Sequence, residues 1–116
     1  MQIEGDAKLL RIMIGEADKI NHIPVYEQIV LEARKIGLAG ATVYKGIMGY
    51  GGTSRVHTSK ILRLSEDMPI VIEIVDETSK IENFLPFVDK IFEEANCGGL
   101  ITMEKADIIK YKANRK

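Results

Sequence analysis

Two stretches of this chain, Lys8–Glu16 and Met68–Asp76, carry apolar residues on both sides of a two-residue repeat. In the first, Leu10, Ile12 and Ile14 share one side, with Leu9, Arg11 and Met13 on the other; in the second, Ile70, Ile72 and Ile74 oppose Val71, Glu73 and Val75. A period of two is that of a strand, and apolar residues on both sides call for a sheet with two faces to cover.

The intervening segments supply two helices and two more strands. Pro24 suits a first helical turn, and Tyr26, Ile29, Val30, Ala33 and Ile36 recur at helical spacing before Gly37 supplies a stop. Ala41–Met48, with Thr42, Val43, Tyr44 and Ile47, reads as a second strand. Ser79 and Glu82 fit a capping box ahead of Ile81, Leu85, Val88, Phe92 and Ala95, although Pro86 would then interrupt the helix, so Asn83 is the alternative cap. Cys97, Gly98 and Gly99 form a turn, and Leu100–Lys112 reads as a last strand, interrupted near Glu104 or Lys105. The order βαββαβ is α+β and ferredoxin-like: a four-stranded antiparallel sheet with two helices on one face. The 116 residues fit a single domain, 1–116, and the face left uncovered is expected to meet another subunit.

Composition narrows the function classes. No apolar run is long enough to cross a bilayer, the N-terminus lacks the apolar core of a signal peptide, and Cys97 is the only cysteine. A reducing, cytoplasmic location without membrane insertion is the expectation. The net charge of −1 argues against nucleic acid as a partner, but the charge is unevenly spread. From Ala33 to Ser65 there is no carboxylate, while Arg34, Lys35, Lys45, Arg55, Lys60 and Arg63 surround Gly46, Gly49, Gly51 and Gly52. Glycine backbone that converges its N–H groups among cations is suited to a small anion such as phosphate. The stretch from about Gly49 to Asp67 is too long for an idle connection, and Lys60–Leu64 within it has the pattern of a short helix.

Catalytic signals are sparse. His22, His57 and Cys97 lack the spacing of metal ligands, and the glycines at 46, 49, 51 and 52 are not followed by the Lys-Ser/Thr of a P-loop.

Specific residues resemble a family. Lys45–Gly52, then His57-Thr58, then Val71–Asp76 are similar to the second strand, T-loop and third strand of PII signal-transduction proteins, and Asp107–Lys112 to their last strand, with Lys110 and Lys112 where two arginines fall. Gly37–Val43 and Leu64–Pro69 resemble more closely the PII-like family known as domain of unknown function 190. The resemblance implies a homotrimer with an adenine nucleotide, ATP, ADP or AMP, as effector in each intersubunit cleft, and a T-loop that signals to a regulated protein. The implied binding residues are Gly46, Gly49, Tyr50, Gly51, Gly52, Arg55, His57, Gly98, Gly99, Lys110 and Lys112, with no metal, no required cofactor and no catalytic residue. Two departures stand out: Cys97-Gly98-Gly99-Leu100 lacks the lysine of the PII Gly-x-Gly-Lys pattern, and the modified T-loop tyrosine has no counterpart. The alternatives are a small enzyme acting on a phosphorylated metabolite, with His57 as acid or base, and an oligomeric scaffold without a small ligand.

Overall fold

The computed structural model describes residues 5–50 and 67–114. Its elements are β1 (Ala7–Gly15), β2 (Lys19–Ile20), β3 (Ile23–Pro24), α1 (Val25–Lys35), β4 (Thr42–Lys45), β5 (Pro69–Glu77), α2 (Thr78–Ala95) and β6 (Leu100–Ala106). The main sheet runs β4-β5-β1-β6 with every neighbouring pair antiparallel. This is the ferredoxin-like arrangement expected from the sequence, with the small hairpin β2–β3 inserted before the first helix.

Register assigns the faces. Pairing of Leu10 with Ile74, Ile12 with Ile72 and Ile14 with Ile70 puts all six on the face beneath the helices, where they are buried. Val25, Ile29 and Ala33 of α1 and Ile81, Phe84 and Val88 of α2 close the core over them. Phe84, fully buried, belongs to the same i, i+3, i+4, i+7 stripe as Ile81, Leu85 and Val88, which the sequence reading had only partly traced.

The helix termini meet expectation in α1 and depart from it in α2. Helix α1 ends as foreseen at Gly37, whose φ of +90° allows the Gly37 N–H to reach Arg34 O and the Leu38 N–H to reach Ala33 O, a Schellman closure. Helix α2 starts at Thr78, without a side-chain cap, and runs through Pro86. Neither the Ser79 capping box nor the Asn83 cap forms. Pro86 lies on the exposed side of the helix, as does Glu82, whose carbonyl loses its intrahelical donor and can turn to water.

The unforeseen hairpin turns on Asn21 and His22, both at positive φ (50° and 70°), as a two-residue primed turn demands. Strand β4 is half its expected length. Strand β6 stops at Ala106, opposite Ala7 at the start of β1, where the sheet runs out of partners. Residues 107–114 therefore form a non-strand tail, which overturns the placement of Lys110 and Lys112 on a common strand face.

The outer face of the sheet carries Tyr44, Val71, Val75, Leu9, Met13 and Leu100, with Tyr44 52% and Leu100 55% exposed. No helix among the described residues is long and apolar enough to cross a membrane.

Candidate functional site

A groove of about 690 Å³ opens on the outer face, at the end of the sheet where β1 begins and β5 finishes. Its floor is Leu9 and Val75, cross-strand partners, with Glu73 beside them. One wall is Ala39, Gly40, Ala41 and Thr42, the link from α1 into β4; the other is the tail Asp107–Tyr111. The volume is that of a small-molecule site, and the mixture of an apolar floor with a few polar groups is typical of one.

Two anchors shape this groove. Asp76, fully buried, accepts hydrogen bonds from the Ala39 N–H at 2.9 Å (Oδ2) and from the Glu77 N–H at 2.7 Å (Oδ1), tying the first wall to β5. A buried carboxylate needs such partners, since unpaired it would cost several kcal/mol. Beside the floor residue Glu73, Arg11 Nε donates to Glu73 Oε2 at 2.9 Å, and Nη1 reaches Glu104 Oε1 at 3.4 Å. The Glu73 hydrogen bond, opposed by burial, leaves the Arg11 guanidinium above its ordinary pKa.

Of the residues expected to bind, Lys110 lines the groove; Lys112, exposed, does not. Gly46, Gly49, Tyr50, Gly98 and Gly99 lie at the opposite end of the sheet, around the last residues of β1 and the first of β5. β1 spans nine residues, so the two ends are separated by about 27 Å. Gly51, Gly52, Arg55 and His57, like the Lys60–Leu64 segment, fall outside the described residues.

At that far end, close packing accounts for two of the glycines. A Cβ on Gly46 would stand 2.6 Å from Pro69 Cγ, and one on Gly99 would stand 2.8 Å from both Met13 O and the Phe92 ring. The electrostatics also differ from a purely basic loop. Lys45 is paired with Glu16 at 3.0 Å, Asp67 Oδ1 accepts the Ala17 N–H at 3.0 Å, and Asp18 Oδ2 accepts the Gly15 N–H at 3.2 Å. Burial, with a smaller push from Asp67, raises the Asp18 pKa against the pull of the Gly15 hydrogen bond. Burial, and then Asp18, raise that of the Cys97 thiol. Within the described part of the carboxylate-free segment, Lys45 is thus paired with Glu16, which the fold brings in from outside it, while Asp18 and Asp67 bind backbone N–H groups at the end of β1. Ile47, Met48 and Tyr50 are 92%, 73% and 80% exposed, so this end presents apolar side chains to its surroundings.

His22 is an exposed turn residue, and the described residues hold no cluster of three or more His, Cys, Asp or Glu able to bind a metal. The sequence reading missed Leu9, Ala39, Gly40, Ala41, Thr42, Glu73 and Val75 as a group. Their signal lies in Gly37–Val43 and Val71–Asp76, whose strand pattern and family likeness do not by themselves reveal a shared groove.

Comparison with known proteins places this architecture. A UPF0166 protein of Aquifex aeolicus (strain VF5) is 37% identical over 102 residues, covering 88% of this chain and 92% of that protein. A UPF0166 protein of Methanocaldococcus jannaschii is 38% identical over 104 residues, covering 90% and 93%. Among solved structures, CPII from Thiomonas intermedia K12, a nitrogen regulatory PII-like protein bound to ADP, AMP and bicarbonate, superposes with a TM-score of 0.63. It covers 93% of this chain and 98% of CPII at 16% identity, a likeness of fold. Residues 7–108 match the family model DUF190, Uncharacterized ACR, COG1993, and the chain belongs to that family, with the ferredoxin-like fold of PII-like proteins.

Proposed function

We propose that this protein is a PII-like regulator that binds an adenine nucleotide, with the base in the Leu9–Val75 groove and the phosphates toward Lys110. The groove carries this reading: it is of nucleotide size, apolar where a base would stack, and bordered by a lysine on the tail. The fold shared with CPII, which has been solved with ADP and AMP, supports the same ligand class.

The finer reading concerns assembly. Lys110 and the glycines Gly46, Gly49, Gly98 and Gly99 stand at opposite ends of one subunit. A site using both sets takes them from adjacent copies, in a head-to-tail ring, for which a homotrimer is the reading carried from the family resemblance. Covering the rest of the outer face with neighbouring copies removes Tyr44 and Leu100 from water. Occupancy would then reach a regulated partner through the segment that follows Tyr50, with Gly51, Gly52, Arg55, His57 and Lys112 completing the phosphate contacts. The protein acts as a non-catalytic sensor in the cytoplasm and returns its ligand intact.

Calorimetry with ATP, ADP and AMP, paired with a phosphate-release assay and sedimentation, tests this reading. Stoichiometric binding without turnover is expected, and a Lys110→Ala, Lys112→Ala double variant keeps the assembly while losing affinity. Wild-type affinity in that variant rejects the phosphate role, and turnover rejects the sensor.

A further inference from the structure

Arg11 is not among the residues that line the groove, yet it holds a carboxylate set in the groove's apolar floor. It stands directly opposite Glu73 in the β1–β5 ladder, and its Nε donates to Glu73 Oε2 at 2.9 Å, both side chains being partly shielded (33% and 26% exposed). On its other side Nη1 reaches Glu104 Oε1 on β6 at 3.4 Å, so the guanidinium bridges three strands. Glu73 Oε1 makes no hydrogen bond among the described residues.

A glutamate on an open strand samples many rotamers, and fixing one oxygen with a charge-assisted bond restrains where the other can lie. Glu73 itself lines the groove between Thr42 and Val75, while Lys110 supplies a cation from the opposite wall and Asp107 a second carboxylate on that tail. The groove therefore pairs a restrained acceptor at its floor with a cation on the tail that forms one wall. The complementary ligand is flat, bears a hydrogen-bond donor at one end and is anionic at the other.

Building on the nucleotide reading above, we infer that Arg11 is a positioning residue: by pinning Glu73 Oε2 it presents Oε1 to the exocyclic amine of an aminopurine nucleotide, and so sets the groove's preference for an amine-bearing base. Arg11 contributes through Glu73 alone and makes no contact with the ligand.

The test is calorimetry of ADP against purine riboside 5′-diphosphate, which lacks the amine, on wild type, Arg11→Met, Arg11→Lys, Glu73→Gln and the Arg11→Met, Glu73→Gln pair. Wild type is expected to prefer ADP by roughly ten- to a hundredfold, the worth of one hydrogen bond to a charged group. Arg11→Met should lose most of that preference, Arg11→Lys should restore part of it, and adding Arg11→Met to Glu73→Gln should change nothing further. A preference that survives Arg11→Met, or an Arg11→Met effect that simply adds to that of Glu73→Gln, overturns the inference. Equal wild-type affinity for the two nucleotides overturns it while leaving the nucleotide reading intact; no wild-type binding of either overturns both.

Discussion

Replacing Asp76 by asparagine changes one atom's identity in the interior and should be among the costlier conservative substitutions in this protein. Both carboxylate oxygens are used: Oδ2 accepts from the Ala39 N–H at 2.9 Å and Oδ1 from the Glu77 N–H at 2.7 Å, at a residue wholly shielded from water. The asparagine amide offers one acceptor, so one backbone N–H faces another donor. That lost partner costs about 1–3 kcal/mol, and the surviving bond, no longer charge-assisted, loses about 1 kcal/mol more. The expected destabilisation is about 2–4 kcal/mol, a large share of a small domain's total. At about 4 °C per kcal/mol for a chain of this size, the melting midpoint should fall by about 8–16 °C. Urea titration followed by circular dichroism measures it directly, with a lower midpoint and an unchanged slope as the signature of a pure stability effect. A destabilisation below about 0.5 kcal/mol would refute the account, because it would mean that the two donors find other partners and that Asp76 does not hold the Ala39 wall.

Other outcomes follow from the same geometry. Gly99→Ala should be destabilising, since the new methyl would meet the Met13 carbonyl oxygen and the Phe92 ring at 2.8 Å; a melt within about 2 °C of wild type would show that the turn adapts. Truncating the fully buried Phe84 to alanine should cost about 3–5 kcal/mol in urea, and a loss under 1 kcal/mol would remove it from the core. The raised Asp18 pKa means that the folded state binds this proton more readily than the unfolded chain. Its contribution is therefore fully present below the ordinary value of 3.8 and is lost as pH rises through the folded pKa. Asp18→Asn should accordingly gain stability relative to wild type as pH is raised from 3 to 7, and a pH-independent difference would contradict this. The Cys97 thiol, raised by burial and by Asp18, should alkylate with iodoacetamide more slowly at neutral pH than a free cysteine, and faster in urea.

What the sequence made legible was set by period and punctuation. Strands β1 and β5 are long enough for a two-residue repeat to be unmistakable, and Gly37 ends α1 through a backbone conformation that glycine adopts without strain. The hairpin β2–β3 escaped because two-residue strands have no period to detect, and the turn rests on Asn21-His22 rather than on a glycine pair. The start of α2 stays open between Ser79 and Asn83 in the sequence because Pro86 reads as a boundary; the helix begins at Thr78, next to the first of these, since on the exposed side of a helix that packs Ile81, Phe84 and Val88 into the core the proline is tolerated. The length of β6 was overestimated because Ile108, Ile109 and Tyr111 keep a strand-like composition beyond the last residue of β1 able to pair with them.

The candidate site was harder to read because it is a property of register rather than of any one motif. Antiparallel pairing sets Leu9 beside Val75 and Arg11 beside Glu73, although 66 and 62 residues separate the partners in the chain. The same sheet sends Lys110 to one end and the Gly46 and Gly99 neighbourhood to the other, so residues that looked like one anion site divide in space. Their separation turns the proposed nucleotide site into a question about assembly. If the glycines contribute to binding through the proposed ring, subunits separated from their neighbours lose affinity together with the Lys110 variant. If the groove suffices alone, affinity follows Glu73 and Lys110 and ignores subunit concentration. Calorimetry repeated across a protein dilution series that spans dissociation of the proposed ring separates these cases, and a nucleotide affinity unchanged across that series would confine the site to one chain.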